Sequence, residues 1–297
     1  MVTHLSPLKT LDINVKYGKT FHRWTRALVT TVLVLITIYV VAACDGAGPP
    51  SPTPSTAADR SRLPEIVTEK AIRVCSTGDY RPFTYRDSRG NWSGLDIDMA
   101  HNLADHLGVR LDLVPTTWAN LLTDVGNRCD MVMGGVSITD TRAHQALFSA
   151  PYLRDGKAGI VRCADATKYR DLSDIDRPGV RVVENPGGTN AEFAKSHIKL
   201  AKLLSYPDNT TIFDQLTTDA ADVMFTDTSE IRYQMQQDQQ LCGVSLDHPF
   251  TSEQKAYLLP RADSALQQYV DQWLSRAQTD GTYAALSRTY LGQVVGP

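Results

Sequence analysis

Short apolar runs alternate with segments of helical periodicity from about residue 64 to the end of the 297-residue chain. Runs rich in β-branched and aliphatic residues predict strands at 71–77, 109–115, 131–138, 159–163, 180–184 and 221–226. Between them, apolar residues recur with a helical period, as Met99, Leu103 and Leu107 do at every fourth position. Strands that alternate with helices in this way predict an α/β fold with largely parallel sheets.

The predicted helices have recognisable ends. Asp98 is expected to cap the first of them, and Gly108 follows its last apolar residue as a stop signal. Residues 191–204 also have a helix-like pattern, and residues 264–291 repeat it at the C-terminal end. The chain has no internal repeat and no nucleotide-binding, zinc-protease or serine-hydrolase motif, so the sequence predicts neither a cofactor nor a metal site.

The N-terminal segment has the pattern of an export signal. Seventeen uncharged residues, 27–43, follow Arg23 and Arg26, which fits a positive region followed by an apolar region. The small residues before Cys44 resemble the bacterial lipobox, where cleavage precedes a lipid-bearing cysteine. We therefore expect a signal peptide over 1–43 and a lipid anchor on Cys44. The alternative is an uncleaved anchor, since the apolar run is near the shortest that spans a bilayer.

Residues 44–63 predict a tether between this anchor and the folded body. The segment is rich in Pro, Ser and Thr, so it cannot bury enough apolar surface to fold, and its prolines keep it extended. The body is then expected outside the cytoplasm, held at the cell membrane in the periplasm or on the outer face.

Charge and cysteine content narrow the function further. The net charge is −3, yet residues 1–43 carry five Lys or Arg against Asp12, so the remainder is acidic and does not suit nucleic acid. Besides Cys44 there are four cysteines without CxxC or Cys/His spacing, which argues against zinc. An even number in an exported domain favours disulfides, with three pairings possible for Cys75, Cys129, Cys163 and Cys242.

Three strings resemble the family 3 extracytoplasmic solute-binding proteins, which are polar amino-acid receptors of ABC transporters. They are GLDIDM at 94–99, YRPFTY at 80–85 and GVSITDTR at 135–142. The resemblance implies a two-lobe periplasmic-binding-protein fold, each lobe a mostly parallel sheet flanked by helices, with the ligand in the cleft. It places the first lobe at 64–158 and 248–297 and the second at 159–247.

The same resemblance implies a set of ligand-binding residues. Arg142 matches the arginine that clamps the ligand's α-carboxylate, and Asp227 lies where receptors bind the α-ammonium group. Tyr80 and Phe83 match the aromatic ligand wall, and Ser137 belongs to the arginine string. The turn NPGGTN at 185–190 opens a helix and offers backbone N–H groups to an anion, although a simple connecting turn is the alternative.

A narrower resemblance links the chain to the periplasmic cyclohexadienyl dehydratases, which convert prephenate to phenylpyruvate or arogenate to phenylalanine. Eight strings match in the same order: TGDYRPFTY, PTTWANL, PYLRDGK, NPGGTN, PDNTTIF, TDTSE, KAYLLPR and YVDQWL. Cys163 and Cys242 also match cysteines of that group, so the resemblance implies a 163–242 disulfide. Cys75 and Cys129 then remain as a second pair.

The dehydratase resemblance assigns the general acid to Glu230, in TDTSE. It implies substrate contacts for Asn185, Thr189 and Asn190, and adds Lys255 and Trp118. Three of these residues have a simpler alternative interpretation: Glu230 is a solvated first-turn glutamate, Lys255 a surface lysine and Trp118 a core residue. The apolar run ADVMF and the neighbouring Asp227 are expected to raise the pKa of Glu230, as an acid catalyst requires. The polar neighbours Thr228 and Ser229 are expected to act in the opposite direction, by hydrating Glu230 and lowering its pKa.

The implied reaction needs little beyond one proton donor. Loss of CO2 and water from prephenate restores an aromatic ring, and the poor leaving group requires general acid catalysis. The prediction is therefore a cofactor-free lyase that is a monomer or a small homo-oligomer, acting on a small dicarboxylate or amino acid. The alternative is a non-catalytic receptor that passes a polar amino acid to an ABC permease.

Overall fold

The computed structural model describes residues 61–297, in which strands and helices alternate. The strands are β1 (Ala71–Ser76), β2 (Asp79–Tyr80), β3 (Thr84–Arg86), β4 (Trp92–Ser93), β5 (Arg110–Pro115), β6 (Met131–Val132), β7 (Ala146–Phe148), β8 (Leu153–Asp155), β9 (Lys157–Arg162), β10 (Arg181–Glu184), β11 (Lys202–Ser205), β12 (Val223–Asp227), β13 (Leu241–Val244), β14 (Glu253–Lys255) and β15 (Leu258–Pro260). The helices are α1 (Leu63–Glu69), α2 (Leu95–Leu107), α3 (Leu121–Asp124), α4 (Asp140–Ala143), α5 (Leu172–Ile175), α6 (Thr189–His197), α7 (Asp214–Thr217), α8 (Thr228–Gln237), α9 (Ser264–Thr279) and α10 (Thr282–Leu291).

Two five-stranded sheets form the cores of two lobes. The first has the order β5-β1-β6-β15-β7, in which β5, β1 and β6 are parallel and β15 is antiparallel to both neighbours. The second has the order β11-β10-β12-β9-β13, with β11, β10 and β12 parallel and β9 and β13 in antiparallel pairings. The predicted α/β fold with parallel strand cores is confirmed.

A small antiparallel pair lies where the chain passes between the two sheets. We call β8 and β14 the crossing sheet; Asp155 is opposite Glu253, and Leu153 is opposite Lys255. Strand β8 leads from the first sheet into β9 of the second, and β14 leads back into β15 of the first. The exact lobe boundaries 64–158, 248–297 and 159–247 stay a prediction.

Each lobe buries its own apolar core. In the first lobe, α2 and α9 pack on the sheet around buried Phe83, Met99 and Trp273. In the second lobe, buried side chains on both faces of the sheet include Ile160, Phe225 and others of β9 and β12. No helix within residues 61–297 is long and apolar enough to cross a membrane. The predicted signal peptide, Cys44 and most of the predicted tether lie outside the described residues.

The helix α2 begins earlier than its sequence signal indicates. Gly94, not Asp98, is the N-cap residue, and Asp98 lies inside the first turn, where it accepts a hydrogen bond from the Tyr290 hydroxyl at 2.7 Å. Gly94 has φ of 130°, and a Cβ there would lie 2.3 Å from the Phe83 carbonyl oxygen. Close packing against that carbonyl therefore fixes the start of the helix. The predicted stop at Gly108 is confirmed, with φ of 69°.

Two other predicted elements are shorter than expected. The predicted strand 131–138 pairs as β6 over two residues only, because Gly134 and Gly135 have φ of 144° and 70° and turn the chain away from the sheet. The predicted helix 191–204 ends at His197, and Lys202–Ser205 forms β11, which pairs with β10. Tertiary pairing to the sheet overrides the helical pattern there.

Both pairs of cysteines are joined in the structure. Cys163 and Cys242 link the ends of the neighbouring strands β9 and β13, and Cys75 and Cys129 link β1 to the segment before β6. Their Cα atoms are 4.7 Å and 5.6 Å apart, within the usual range for disulfides. Each disulfide therefore lies within one lobe and joins neighbouring segments of the same sheet.

Candidate active site

A cavity between the lobes brings together most of the residues singled out in the sequence. Nine predicted ligand residues line it, together with Gly135, Gly188 and Asn209: Tyr80, Trp118, Ser137, Arg142, Asn185, Thr189, Asn190, Asp227 and Lys255. Many of them follow the carboxyl ends of parallel strands, as Asn185 follows β10 and Asp227 ends β12. This edge of an α/β sheet is where ligand sites are commonly found.

Arg142 presents an unpaired cation to the cavity. Its guanidinium is buried, and Nη1 donates to the Ser137 carbonyl oxygen at 2.9 Å. Thr139 caps the short helix α4 by accepting from the Arg142 backbone N–H, which fixes the residue at the cavity wall. Within residues 61–297 the guanidinium has no carboxylate within ion-pair distance. Burial lowers its pKa, yet it stays charged, so it offers the rest of its donors to an anion.

Asp227 is already paired within the protein. Its carboxylate accepts from Lys157 Nζ at 2.8 Å, from Lys255 Nζ at 2.5 Å and from the Tyr80 hydroxyl. Burial alone favours the neutral form, but the two ammonium groups hold the pKa of Asp227 well below its usual range. The carboxylate is therefore ionised, and donors from both lobes occupy its two oxygens.

Two lysines beside Asp227 are buried at the site. Lys255 is buried, not on the surface, and also donates to Ser137 Oγ at 2.8 Å. Its pKa is raised because the neighbouring Asp227, Asp155 and Glu253 carboxylates outweigh burial. Lys157 is equally buried and lies 3.6 Å from Glu253. Among the charged side chains that line the cavity, Arg142 and Lys255 outnumber Asp227, which suits an anionic ligand.

The turn before α6 supplies a polar wall on the second lobe. Thr189 is the first residue of α6 and accepts a hydrogen bond from Lys157 Nζ at 2.9 Å. Asn190 donates to the Thr226 hydroxyl at 2.9 Å, while its Oδ1 is buried without a partner in the described residues. Asn185 instead donates to the Tyr206 and Pro207 carbonyls, so its amide stabilises the loop.

Glu230 lies directly behind this wall, in the first turn of α8. It is only 1% exposed, so the solvated interpretation is wrong. The Thr226 hydroxyl donates to Glu230 Oε2 at 2.5 Å, and the same hydroxyl accepts from Asn190, which lines the cavity. In the part of the chain that the structure describes, no group hydrogen-bonds Oε1. Glu230 therefore does not line the cavity itself but is linked to it through Thr226 and Asn190.

The environment of Glu230 keeps it protonated. Burial raises its pKa to about 8, and the negative charges of Asp227 and Asp79 act in the same direction. The Thr226 hydrogen bond and the charge of Lys157 oppose this but do not cancel it. The expected hydration by Thr228 and Ser229 is wrong, because both hydroxyls donate to Asp155 instead.

The aromatic residues divide between the cavity and the core. Tyr80 and Trp118 line the cavity in an edge-to-face pair with ring centroids 5.4 Å apart. Trp118 is half-buried and donates from Nε1 to Asp79 at 3.1 Å, so it is not simply a core residue. Phe83 does not reach the cavity; it is fully buried beneath Tyr80, with which it stacks at 5.3 Å.

Two residues of the site were not singled out in the sequence. Lys157 occurs in the matched string PYLRDGK, and Asn209 occurs in PDNTTIF. Asn209 is buried, lines the cavity and donates to the Asp79 carbonyl at 2.9 Å, which ties the second lobe to the first. The strings were the available signal, but neither residue type is distinctive at its position. No group of three metal-ligating His, Cys, Asp or Glu side chains occurs within residues 61–297.

Known proteins that are similar to this chain share the two-lobe fold described above. The sequence model of the bacterial extracellular solute-binding proteins, family 3, matches residues 72–293. The chain belongs to this family. Because family 3 proteins act outside the cytoplasm, the body of this chain belongs to an extracytoplasmic group, as the sequence predicted.

Within family 3, catalytic and receptor relatives both resemble the chain. A cyclohexadienyl dehydratase of Pseudomonas aeruginosa is 47% identical over 228 residues, covering 76% of this chain and 85% of that protein. The L-cystine-binding protein TcyJ of Escherichia coli is 25% identical over 236 residues, covering 79% and 88%. An ancestral amino acid-binding protein, described as a precursor of cyclohexadienyl dehydratase, has a TM-score of 0.73 and 32% identity, covering 78% and 100%.

Proposed function

We propose that this family 3 protein is a cyclohexadienyl dehydratase that converts prephenate to phenylpyruvate, with arogenate to phenylalanine as the related reaction. The observation that carries the proposal is the position of Glu230, a buried carboxyl linked by hydrogen bonds to the wall of a cavity that Arg142 and Lys255 line. Burial raises its pKa to about 8, which suits a proton donor. The 47% identity to the Pseudomonas dehydratase supports the same activity.

The charges of the cavity suit a substrate with two carboxylates. Arg142 is buried, uses one guanidinium donor within the part of the chain that the structure describes, and is the proposed partner of one carboxylate. Lys255, with Lys157 behind it, is the proposed electrostatic partner of the other. The oxygens of Asp227 are occupied by three donors, so this carboxylate is less open to a ligand ammonium group than a free aspartate is.

The proposed reaction needs one proton and no oxidant or cofactor. The bond between C1 of prephenate and its ring carboxylate breaks, and CO2 leaves. Its electron pair shifts through the ring toward C4, where the C–O bond breaks. Glu230 donates its proton to the departing hydroxyl, which leaves as water, and the aromatic ring forms. Solvent then restores the Glu230 proton, which its raised pKa favours.

The test is direct incubation of the purified body with prephenate, followed by the absorbance of phenylpyruvate. Arogenate is tested in parallel through phenylalanine formation. Turnover of either substrate supports the proposal. A protein that binds an amino acid tightly and returns it unchanged, while leaving both cyclohexadienes untouched, would instead be a receptor for an ABC permease.

We also propose that Cys44 carries the lipid that holds the protein at the membrane. The support is the sequence Val41-Ala42-Ala43-Cys44 after an apolar run and a basic segment. Radiolabelled fatty acid should enter the wild-type protein, while Cys44→Ala should accumulate as an unprocessed and unlabelled precursor. Equal labelling of both proteins contradicts the anchor.

A further inference from the structure

The helix that carries Glu230 has no cap from its own N-cap residue. That residue is Asp227, and its side chain makes no capping hydrogen bond. Its carboxylate is turned instead toward Lys157, Lys255 and Tyr80 in the cavity. The free N–H groups at the start of α8 therefore need another acceptor.

Asp155, in the crossing sheet, supplies that acceptor from a distant part of the sequence. Its Oδ1 accepts from the Thr228 hydroxyl at 2.7 Å and from the Ser229 backbone N–H at 3.3 Å. Its Oδ2 accepts from the Ser229 hydroxyl. The backbone of the same segment adds a bond from the Thr228 N–H to the Gly156 carbonyl at 3.0 Å. Asp155 is only 8% exposed, and the proposed chemistry does not use it.

These contacts hold the two residues immediately before Glu230. A helix turn fixed at Thr228 and Ser229 also fixes the direction in which the Glu230 side chain leaves the backbone. We propose that Asp155 is a positioning residue that caps α8 in place of Asp227 and so aligns Glu230 with the cavity. This inference rests on the proposed function, because it assigns Asp155 a role through the proposed acid.

The capping arrangement also explains why Asp227 can serve the cavity. The side chain of an aspartate at an N-cap ordinarily accepts hydrogen bonds from the helix N–H groups. Because Asp155 accepts these hydrogen bonds, both oxygens of Asp227 remain free to accept from Lys157, Lys255 and Tyr80. One buried carboxylate thus stabilises the helix while the adjacent one sets the charge of the site.

The test must separate the geometry of the cap from its charge. Asp155 faces Asp227 and Lys255, while Glu230 faces Asp227, Asp79 and Lys157. Asp155→Asn removes the charge but keeps an oxygen acceptor and is a good N-cap residue. Asp155→Ala removes both. Comparing the two variants shows whether position or charge matters.

The assay is steady-state prephenate turnover from pH 5 to pH 10, with thermal unfolding of each variant. Asp155→Ala should lower kcat by about 10- to 100-fold with a smaller change in KM, because a displacement of about 1 Å can cost 10²-fold. The alkaline limb of the pH profile, where kcat falls as Glu230 loses its proton, should also move to lower pH, because better hydration of Glu230 lowers its pKa. In Asp155→Asn, kcat should stay within about threefold of wild type, and the fall of kcat at alkaline pH should occur at the wild-type pH.

Asp263→Ala is the matched control. Asp263 is also buried and caps α9 through the Leu266 N–H at 2.9 Å, but it lies outside the cavity. The Asp263→Ala variant should be less thermally stable than wild type but keep the wild-type kcat and pH profile. If Asp155→Ala behaves in the same way, Asp155 is only a structural cap and the inference is wrong.

Ser229→Ala provides a milder version of the same change. It removes one hydroxyl donor to Asp155 and leaves the backbone bond in place. It should reduce kcat less than Asp155→Ala and shift the alkaline limb in the same direction, which keeps the inference testable if Asp155→Ala does not fold. An unchanged kcat and limb in Ser229→Ala overturn it. A wild-type protein without prephenate turnover refutes the proposed function itself.

Discussion

Replacing Glu230 with glutamine should remove the transferable proton while keeping the shape of the side chain. At pH 7, a carboxyl with the raised pKa of about 8 is about 90% protonated, whereas one with the ordinary value of 4.5 is about 0.3% protonated. The protein environment therefore increases the working form of the acid about 300-fold at this pH. Glutamine has no acidic proton at any pH in this range.

The expected kinetic result is a fall in kcat by about 10²–10⁴-fold with little change in KM, since general acid catalysis typically contributes this much. In the wild-type protein, kcat should decline as pH rises through about 8, because the protonated form is the active one. Prephenate turnover measured from pH 5 to pH 10 tests both expectations. Glu69→Gln, an exposed change on α1, should keep the wild-type rate and profile.

The same substitution should change the pH dependence of stability. The folded protein binds the Glu230 proton more tightly than the unfolded chain, so this group lowers stability as pH rises from about 4.5 to about 8. Glu230→Gln removes that loss, and denaturant unfolding should show a smaller decline with pH. An active enzyme whose kcat and alkaline limb are unaffected by Glu230→Gln refutes the assignment of the acid.

Three further changes test other parts of the structure. Arg142→Ala should weaken binding of a carboxylate ligand by about 2–5 kcal/mol in titration calorimetry, because it leaves a buried anion unpaired; unchanged affinity would place the ligand elsewhere. Replacing Cys163 and Cys242 by serine should lower the unfolding free energy by about 2–4 kcal/mol, with kcat preserved in the folded protein. Asp96→Asn should flatten the fall in stability between about pH 4 and pH 6, because burial raises the pKa of Asp96 to about 6; an unaltered slope argues against this ionisation.

The sequence determined those features that depend on residues close together along the chain. Alternating apolar and helical patterns indicated the α/β class, and short ordered strings indicated family 3 and the narrower dehydratase group. Arg142 and Asp227 could be proposed for the site because their local strings are distinctive. The patterns were less informative at Gly94, where contact with the Phe83 carbonyl sets the helix start.

Only the tertiary structure decided the chemical state of the site. Lys255 is a surface lysine by type but is buried against Asp227, and Phe83 lies under the cavity wall. The cap that Asp155 provides for α8 joins residues more than 70 positions apart, which no local pattern encodes. Desolvation and charge pairing depend on atoms from several elements, so the proton on Glu230 is a property of the folded protein and not of its sequence motif.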